Sequence, residues 1–389
     1  MDPTIYRGLT GVNVDTSEIC SIDGEQGELI YRGYDIRELA DKASFEEVVH
    51  LLWFGELPTR EQLHALRDAI RPSFDLPGPV LDLLASLPRG THPMAALRTG
   101  VSALAAFDPA PDGTDLDNVR RIGFSLLGKV PAIVAAFQRL QAGEEPCAAD
   151  PNLSVAGNFL RMVNAAEPSD AAVRVMDVAL VLHAEHGSNA STFVGRSTAS
   201  SLTDVYSAIT AAIGSLKGPL HGGANYGVMK ALEEIGSVEG VDGYVTDTLA
   251  EGGRVMGFGH RVYRVVDPRA TILKGVSEKL AEESGDAKWF EMSLEMERVM
   301  KREMDARGKQ IAPNVDFFSA SVYRMLGFAK ETYTPIFAVA RVAGWMAHLF
   351  EQYADNRLMR PRLVYQGDRG KTFTPIEQRG RGRAPRHRR

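Results

Sequence analysis

Cysteine is nearly absent: Cys20 and Cys147 are the only two in 389 residues, and neither lies in a CxxC or metal-type spacing. That excludes a disulfide framework and fits a reducing compartment. Long apolar runs are missing too. The longest strongly apolar, uncharged stretch, Val205 to Leu216, is too short to cross a bilayer. Basic charge is not in excess either, and the formal net charge of −6 argues against general nucleic-acid binding. Met1-Asp2-Pro3-Thr4 starts neither a basic-then-apolar signal nor an Arg-rich transit peptide, so a cytoplasmic location is expected.

What is present is the balance of a folded protein, 44% hydrophobic and 24% charged, with length for two domains or a large and a lesser lobe. The charge is unevenly spread. Residues 379–389 hold six arginines and no acid; without them, 38 basic residues face 50 acidic ones. Broken by Gly380, Gly382 and Pro385, this tail is expected to be a disordered, solvated appendage rather than an anion- or RNA-binding arm.

Strand signals are confined to the first thirty or so residues. Gly11 to Val14 alternates, Asp23-Gly24 signals a turn, and Glu28 to Tyr31 can return as a second short strand. Helix signals follow. Ser44 with Glu47 makes a capping box closed by Gly55, Thr59 with Gln62 repeats it, and Ser201 with Asp204 precedes an apolar helix that should stop at Gly218-Pro219. Helix-period segments cover about 92–107, 118–142, 154–165, 170–186, 225–236, 268–281, 287–307, 317–326 and 335–354. The fold reads as all-α with a short N-terminal β region. A composition change near Lys217-Gly218-Pro219 marks an inserted small lobe, 221–320, on a larger domain made of 1–220 and 321–389.

Four clusters could carry chemistry. In Leu182 to Asn189, His183 and His186 share a face if the helix continues, as a core pair or, less fittingly, as part of a zinc site. In Gly218-Pro219-Leu220-His221-Gly222-Gly223, a neutral imidazole before a helix could donate to a developing enolate, or the stretch is an ordinary glycine turn. Met256 to Arg264 combines Gly257, Gly259 and His260 with Arg261, Arg264 and the nearby Arg269, offering anion forks or a solvated basic loop. In Pro313 to Phe318, Asp316 among apolar groups is a tuned base or an N-cap.

Together these motifs are far more specific than singly. Leu220 to Asn225, Met256 to His260 with Asp267-Pro268-Arg269, and Pro313 to Asp316 resemble the citrate synthase family in order and spacing. The likeness extends from Gly8-Leu9-Thr10-Gly11-Val12 and Tyr31 to Ile36, through His183 to Asn189, to Thr374-Pro375-Ile376; the arginine tail departs from it.

The resemblance implies a two-domain helical enzyme of the tricarboxylic acid cycle, condensing acetyl-CoA with oxaloacetate and hydrolysing the thioester. It makes Asp316 the base, His221 the donor to the thioester oxygen and His260 the donor to the ketone. His186, Arg269 and Arg341 would hold oxaloacetate, with Arg360 reaching in from the other subunit of a homodimer. Met256, Gly257, Phe258, Gly259 and Lys309 would hold coenzyme A, which arrives as substrate, so no cofactor or metal is implied. Arg341 sits in an apolar helix, where an unpaired guanidinium is costly; an anionic ligand or a buried acid would answer for it. Closure of the lobes over oxaloacetate would give ordered binding. The readings that compete are a 2-methylcitrate synthase using propionyl-CoA, a non-catalytic acyl-CoA-binding scaffold, and a zinc hydrolase.

Overall fold

Local chemistry sets most of the helix ends. Ser44 and Glu47 close a reciprocal capping box on Phe45–Phe54, and Gly55, at φ 89°, ends that helix. Thr59 and Gln62 do the same for Arg60–Ile70. The computed structural model describes residues 4–9, 11–260, 262–285 and 287–379. Arg261, of the basic loop, and the tail from 380 onward lie outside them.

Sixteen α-helices and one small sheet make up the regular structure of the described residues. Strands β1 (Cys20–Asp23), β2 (Glu28–Tyr31) and β3 (Tyr34–Asp35) pair antiparallel in that order, with Cys20 opposite Tyr31 and Asp23 opposite Glu28. The expected strand at 11–14 is not formed; the pairing begins at Cys20. The turn at Asp23-Gly24 is present, its backbone held by the Asp23 carboxylate accepting from the Glu25 and Gln26 N–H groups.

Nine expected helix segments are found with ends shifted by a few residues, and Val205–Leu216 stops before Gly218 as anticipated. Its N-cap is Asp204, not Ser201. Leu202 takes a left-handed φ of 61°, which turns the chain so that the helix can start only after Asp204. The segment expected to run to 186 ends at His183, so His183 and His186 do not share a helix face. Helices Ala190–Ala199 and Gly240–Ala250 were not anticipated.

The described residues form two compact units: Thr16–Leu358, and the two chain ends, up to Asp15 and from Met359. Within the first, Tyr333–Ala354 is the core helix, packed on Leu116–Ala142, Ala190–Ala199, Phe45–Phe54 and Asp170–His183. Val315–Met325 packs on Pro268–Ser284, Ala224–Ile235 and Lys288–Ala306. In the unit of the ends, Leu363 is 96% exposed and Phe373 79% exposed. No helix of the described residues is long and apolar enough to cross a membrane.

Candidate active site

The segment 256–259 is bound to the start of the helix that carries Asp316. Phe258 bridges Pro313, the Gly259 N–H donates to the Ala312 carbonyl at 2.9 Å, and the Asn314 N–H donates to the Gly257 carbonyl at 2.9 Å. The Asn314 side chain spans the same gap, its amide donating to the Gly259 carbonyl (2.9 Å) while its oxygen caps the Asp316 N–H (3.0 Å). Asn314 is thus the N-cap, which leaves the Asp316 carboxyl free of that duty. Gly257, at φ 85°, must be glycine: a Cβ there would lie 2.7 Å from Val228 and 2.8 Å from Phe317. Met256 lies against Gly227 of the helix that follows His221, so this contact joins a third cluster to the first two.

Each of the two loop histidines is held in one tautomer by backbone donors. The Ser191 N–H donates to His221 Nε2 at 3.2 Å, with the Ser191 hydroxyl 2.8 Å away. An N–H group cannot accept, so Nε2 is unprotonated and Nδ1 carries the proton of the neutral ring. Ser191 is fixed in turn by the Trp345 N–H (3.1 Å), and its single hydroxyl proton can serve either the bare His221 Nε2 or Asn189 Oδ1, both 2.8 Å away. His260 is set the opposite way. Its Nδ1 accepts from the Val262 and Tyr263 N–H groups at 3.0 and 3.1 Å, so Nε2 carries the proton. Burial, then Arg341, brings the His221 pKa down to about 4; burial, then Arg269, does the same for His260. Both rings are neutral donors at pH 7.

Arg269 is buried and forms a two-bond pair with Asp267 (2.8 and 3.0 Å), which also caps the Arg269 helix. Arg341 is buried over the Phe337 ring at 4.6 Å. Its Nε donates to the His183 carbonyl at 2.8 Å, while Nη2 is buried without a hydrogen-bond partner. Glu185 is close enough to act on it electrostatically but is itself bonded to His348 at 3.0 Å, and its second oxygen is unpartnered. Asp316, partly buried, is raised to about 6 by desolvation, a shift that Arg269 and Arg341 partly offset. Both guanidiniums act electrostatically on Asp316, while Arg341 also acts on His221 and Arg269 on His260.

His186 is partly buried, its ring 5.5 Å from His260 centre to centre, and its Nε2 lies 3.2 Å from the Tyr263 hydroxyl. His183, by contrast, faces the core, its Nδ1 donating to the Ala179 carbonyl. The sequence reading did not single out Tyr263, Ser191 or Glu185. Nothing local marks them, since each acts through partners up to 163 residues away. Met256 is partly exposed, Lys309 is exposed, and Arg360 is exposed in the unit of the chain ends.

The fold is helical, and the candidate site joins neutral imidazoles, a raised carboxyl and buried cations. The family model for the C-terminal domain of citrate synthase matches residues 8–362. Citrate synthase of Haloferax volcanii is 47% identical, covering 97% of this chain and all of its own length. Citrate synthase 2 of Bacillus subtilis is 46% identical with the same coverage, and 2-methylcitrate synthase 1 of Corynebacterium glutamicum is 42% identical (97% and 99%). Two crystal structures superpose closely. Citrate synthase of Pyrobaculum aerophilum gives a TM-score of 0.89 at 37% identity, covering 96% and 95% of the two chains. That of Thermoplasma acidophilum, a ternary complex with carboxymethyl coenzyme A and oxaloacetate, gives 0.88 at 34% identity (97% and 100%). The chain belongs to the citrate synthase family and is an acyltransferase that converts the acyl group to alkyl on transfer.

Proposed function

We propose that this enzyme condenses acetyl-CoA with oxaloacetate and hydrolyses the product thioester to citrate and coenzyme A. What supports the reading is a pair of neutral imidazoles with opposite tautomers and a carboxyl raised to about 6, each acted on by the buried Arg269 or Arg341. Asp316 removes a proton from the acyl methyl. His221 donates Nδ1–H to the thioester oxygen as it gains charge, an interaction worth roughly 2.7–4 kcal/mol when made only in the transition state. His260 donates Nε2–H to the ketone oxygen and renders its carbon electrophilic. The new carbon–carbon bond forms there, and water then releases the coenzyme.

His186, Arg269 and Arg341 hold the two carboxylates of oxaloacetate, and Arg360 completes the cradle from a second copy of the chain. Support for that second copy is the exposed Leu363 and Phe373 on the chain end that carries Arg360; a single-chain mass in solution removes this part. Met256, Gly257, Phe258, Gly259 and Lys309 hold coenzyme A. The lobe 221–320 closes on the larger domain once oxaloacetate is bound, so oxaloacetate binds first.

Free thiol release from acyl-CoA tests the whole reading. It is expected only when oxaloacetate is present, with initial-rate patterns of ordered addition. The specificity constant for acetyl-CoA should exceed that for propionyl-CoA, the one-methylene difference being worth about 1–3 kcal/mol. The reverse order assigns the chain to the 2-methylcitrate reaction, which the Corynebacterium glutamicum relative keeps in play. No thiol release under any acyl-CoA leaves a non-catalytic scaffold.

A further inference from the structure

The small sheet touches the backbone beside His186 and His260, both of which feel the charge of the buried Arg269. On one side, β1 and β2 abut the segment 185–187. The Tyr31 hydroxyl donates to the Glu185 carbonyl at 2.7 Å and receives the Glu185 N–H at 3.2 Å. Ile22 Cδ1 lies 3.4 Å from where a Cβ on Gly187 would stand. On the other side, the β1–β2 turn abuts the loop after His260. The Arg264 N–H donates to the Gly24 carbonyl at 2.8 Å. A Cβ on Gly24 would lie 2.3 Å from the Val262 carbonyl oxygen, and one on Gly27 would lie 2.8 Å from Val265.

The geometry points to the N-terminal hairpin as a positioning brace that fixes the His260 loop against His186, with Gly24 and Tyr31 as its two contact points. This rests on the function proposed above. Val262 and Tyr263 supply the two N–H groups that set His260, so pushing the Val262 carbonyl back withdraws both donors from Nδ1. Tyr263 would move with them, and its hydroxyl is the hydrogen-bond partner of His186. The 256–259 segment is anchored separately, to residues 312–314, and does not depend on the hairpin. A displaced brace should therefore impair the pocket for oxaloacetate while sparing that for acyl-CoA.

Gly24→Ala is a clean probe, since Gly24 is not in the left-handed region and alanine meets no backbone strain there. Gly243→Ala, at a helical position with open space around it, is the control. For Gly24→Ala, the KM for oxaloacetate is expected to rise roughly ten- to a hundredfold, the effect of a misplacement near 1 Å. The KM for acyl-CoA should stay within about twofold, and the melting temperature should match that of the control, because the added methyl disturbs one loop and no core contact. An unchanged oxaloacetate KM overturns the brace, and so does an equal rise in both KM values. Should Gly24→Ala not fold, Tyr31→Phe, which adds no atom, is judged by the same criteria. A wild-type enzyme without oxaloacetate-dependent thiol release refutes the function reading instead, so the two failures are distinct.

Discussion

Asp316→Asn should lower kcat by roughly 10²–10⁴, the range expected for loss of a positioned general base, while oxaloacetate still binds. The amide keeps the shape but cannot take a proton, so exchange of the acyl-CoA methyl protons with solvent deuterium should stop. Retained exchange refutes the base assignment. The same variant should be more stable than the parent, and the sign follows from the raised pKa. A folded-state value of about 6, above the ordinary carboxyl value, means the native protein holds this proton more tightly than the unfolded chain. Stability is therefore lost as the pH rises through that window, and the cost is complete above it. A tenfold difference in proton affinity corresponds to about 1.4 kcal/mol, and partial exposure of the side chain reduces the sum to about 1–2 kcal/mol. Melting curves should place Asp316→Asn a few degrees above wild type at pH about 7.5, with the gap closing near pH 4.

Arg341→Met carries the second large effect. Arg341 is 1% exposed with an unpartnered Nη2, and methionine fills similar space without a charge. In the proposed mechanism that nitrogen awaits a carboxylate of oxaloacetate. Removing it should raise the KM for oxaloacetate on the order of a hundredfold, since truncating one member of a buried, hydrogen-bonded charge pair costs about 2–5 kcal/mol. Ligand-linked melting gives an independent reading. Oxaloacetate at about 100 times its Kd should stabilise the wild type by about 2.7 kcal/mol, and the same concentration should leave Arg341→Met nearly unshifted. An undiminished shift would mean that Glu185, not substrate, is the partner for which the arginine was retained.

Much of this architecture was legible in the sequence because local rules and tertiary packing agree. The box at Ser44 and Glu47 and the left-handed Gly55 stand where their spacing predicts. Pattern and structure part where packing overrides the local signal. Ala190–Ala199 escaped notice because it buries polar groups, Ser191, Thr192 and Arg196, which erases its apolar period. The S-x-x-D spacing at Ser201 imitates a cap that Leu202 disallows. Strand β1 was misplaced because the alternation at Gly11 to Val14 looks as good as that at Cys20 to Asp23; only pairing with β2 distinguishes them. In the proposed site, His221, His260 and Asp316 stand out through the joint resemblance of their motifs to one family, not through any one motif alone. The donors that set their protonation, Ser191 above all, do not, because a serine thirty residues away has no local signature.

The central physical claim is that a carboxyl base works between two imidazoles that are neutral and of opposite tautomer. Nitrogen-15 NMR of histidine-labelled enzyme at pH about 7 tests it most directly, since protonated and bare ring nitrogens are well separated there. The result expected is His221 with its proton on Nδ1 and His260 with its proton on Nε2, each assigned by its disappearance in a histidine-to-glutamine variant. An imidazolium at either position, or the same tautomer at both, contradicts the account.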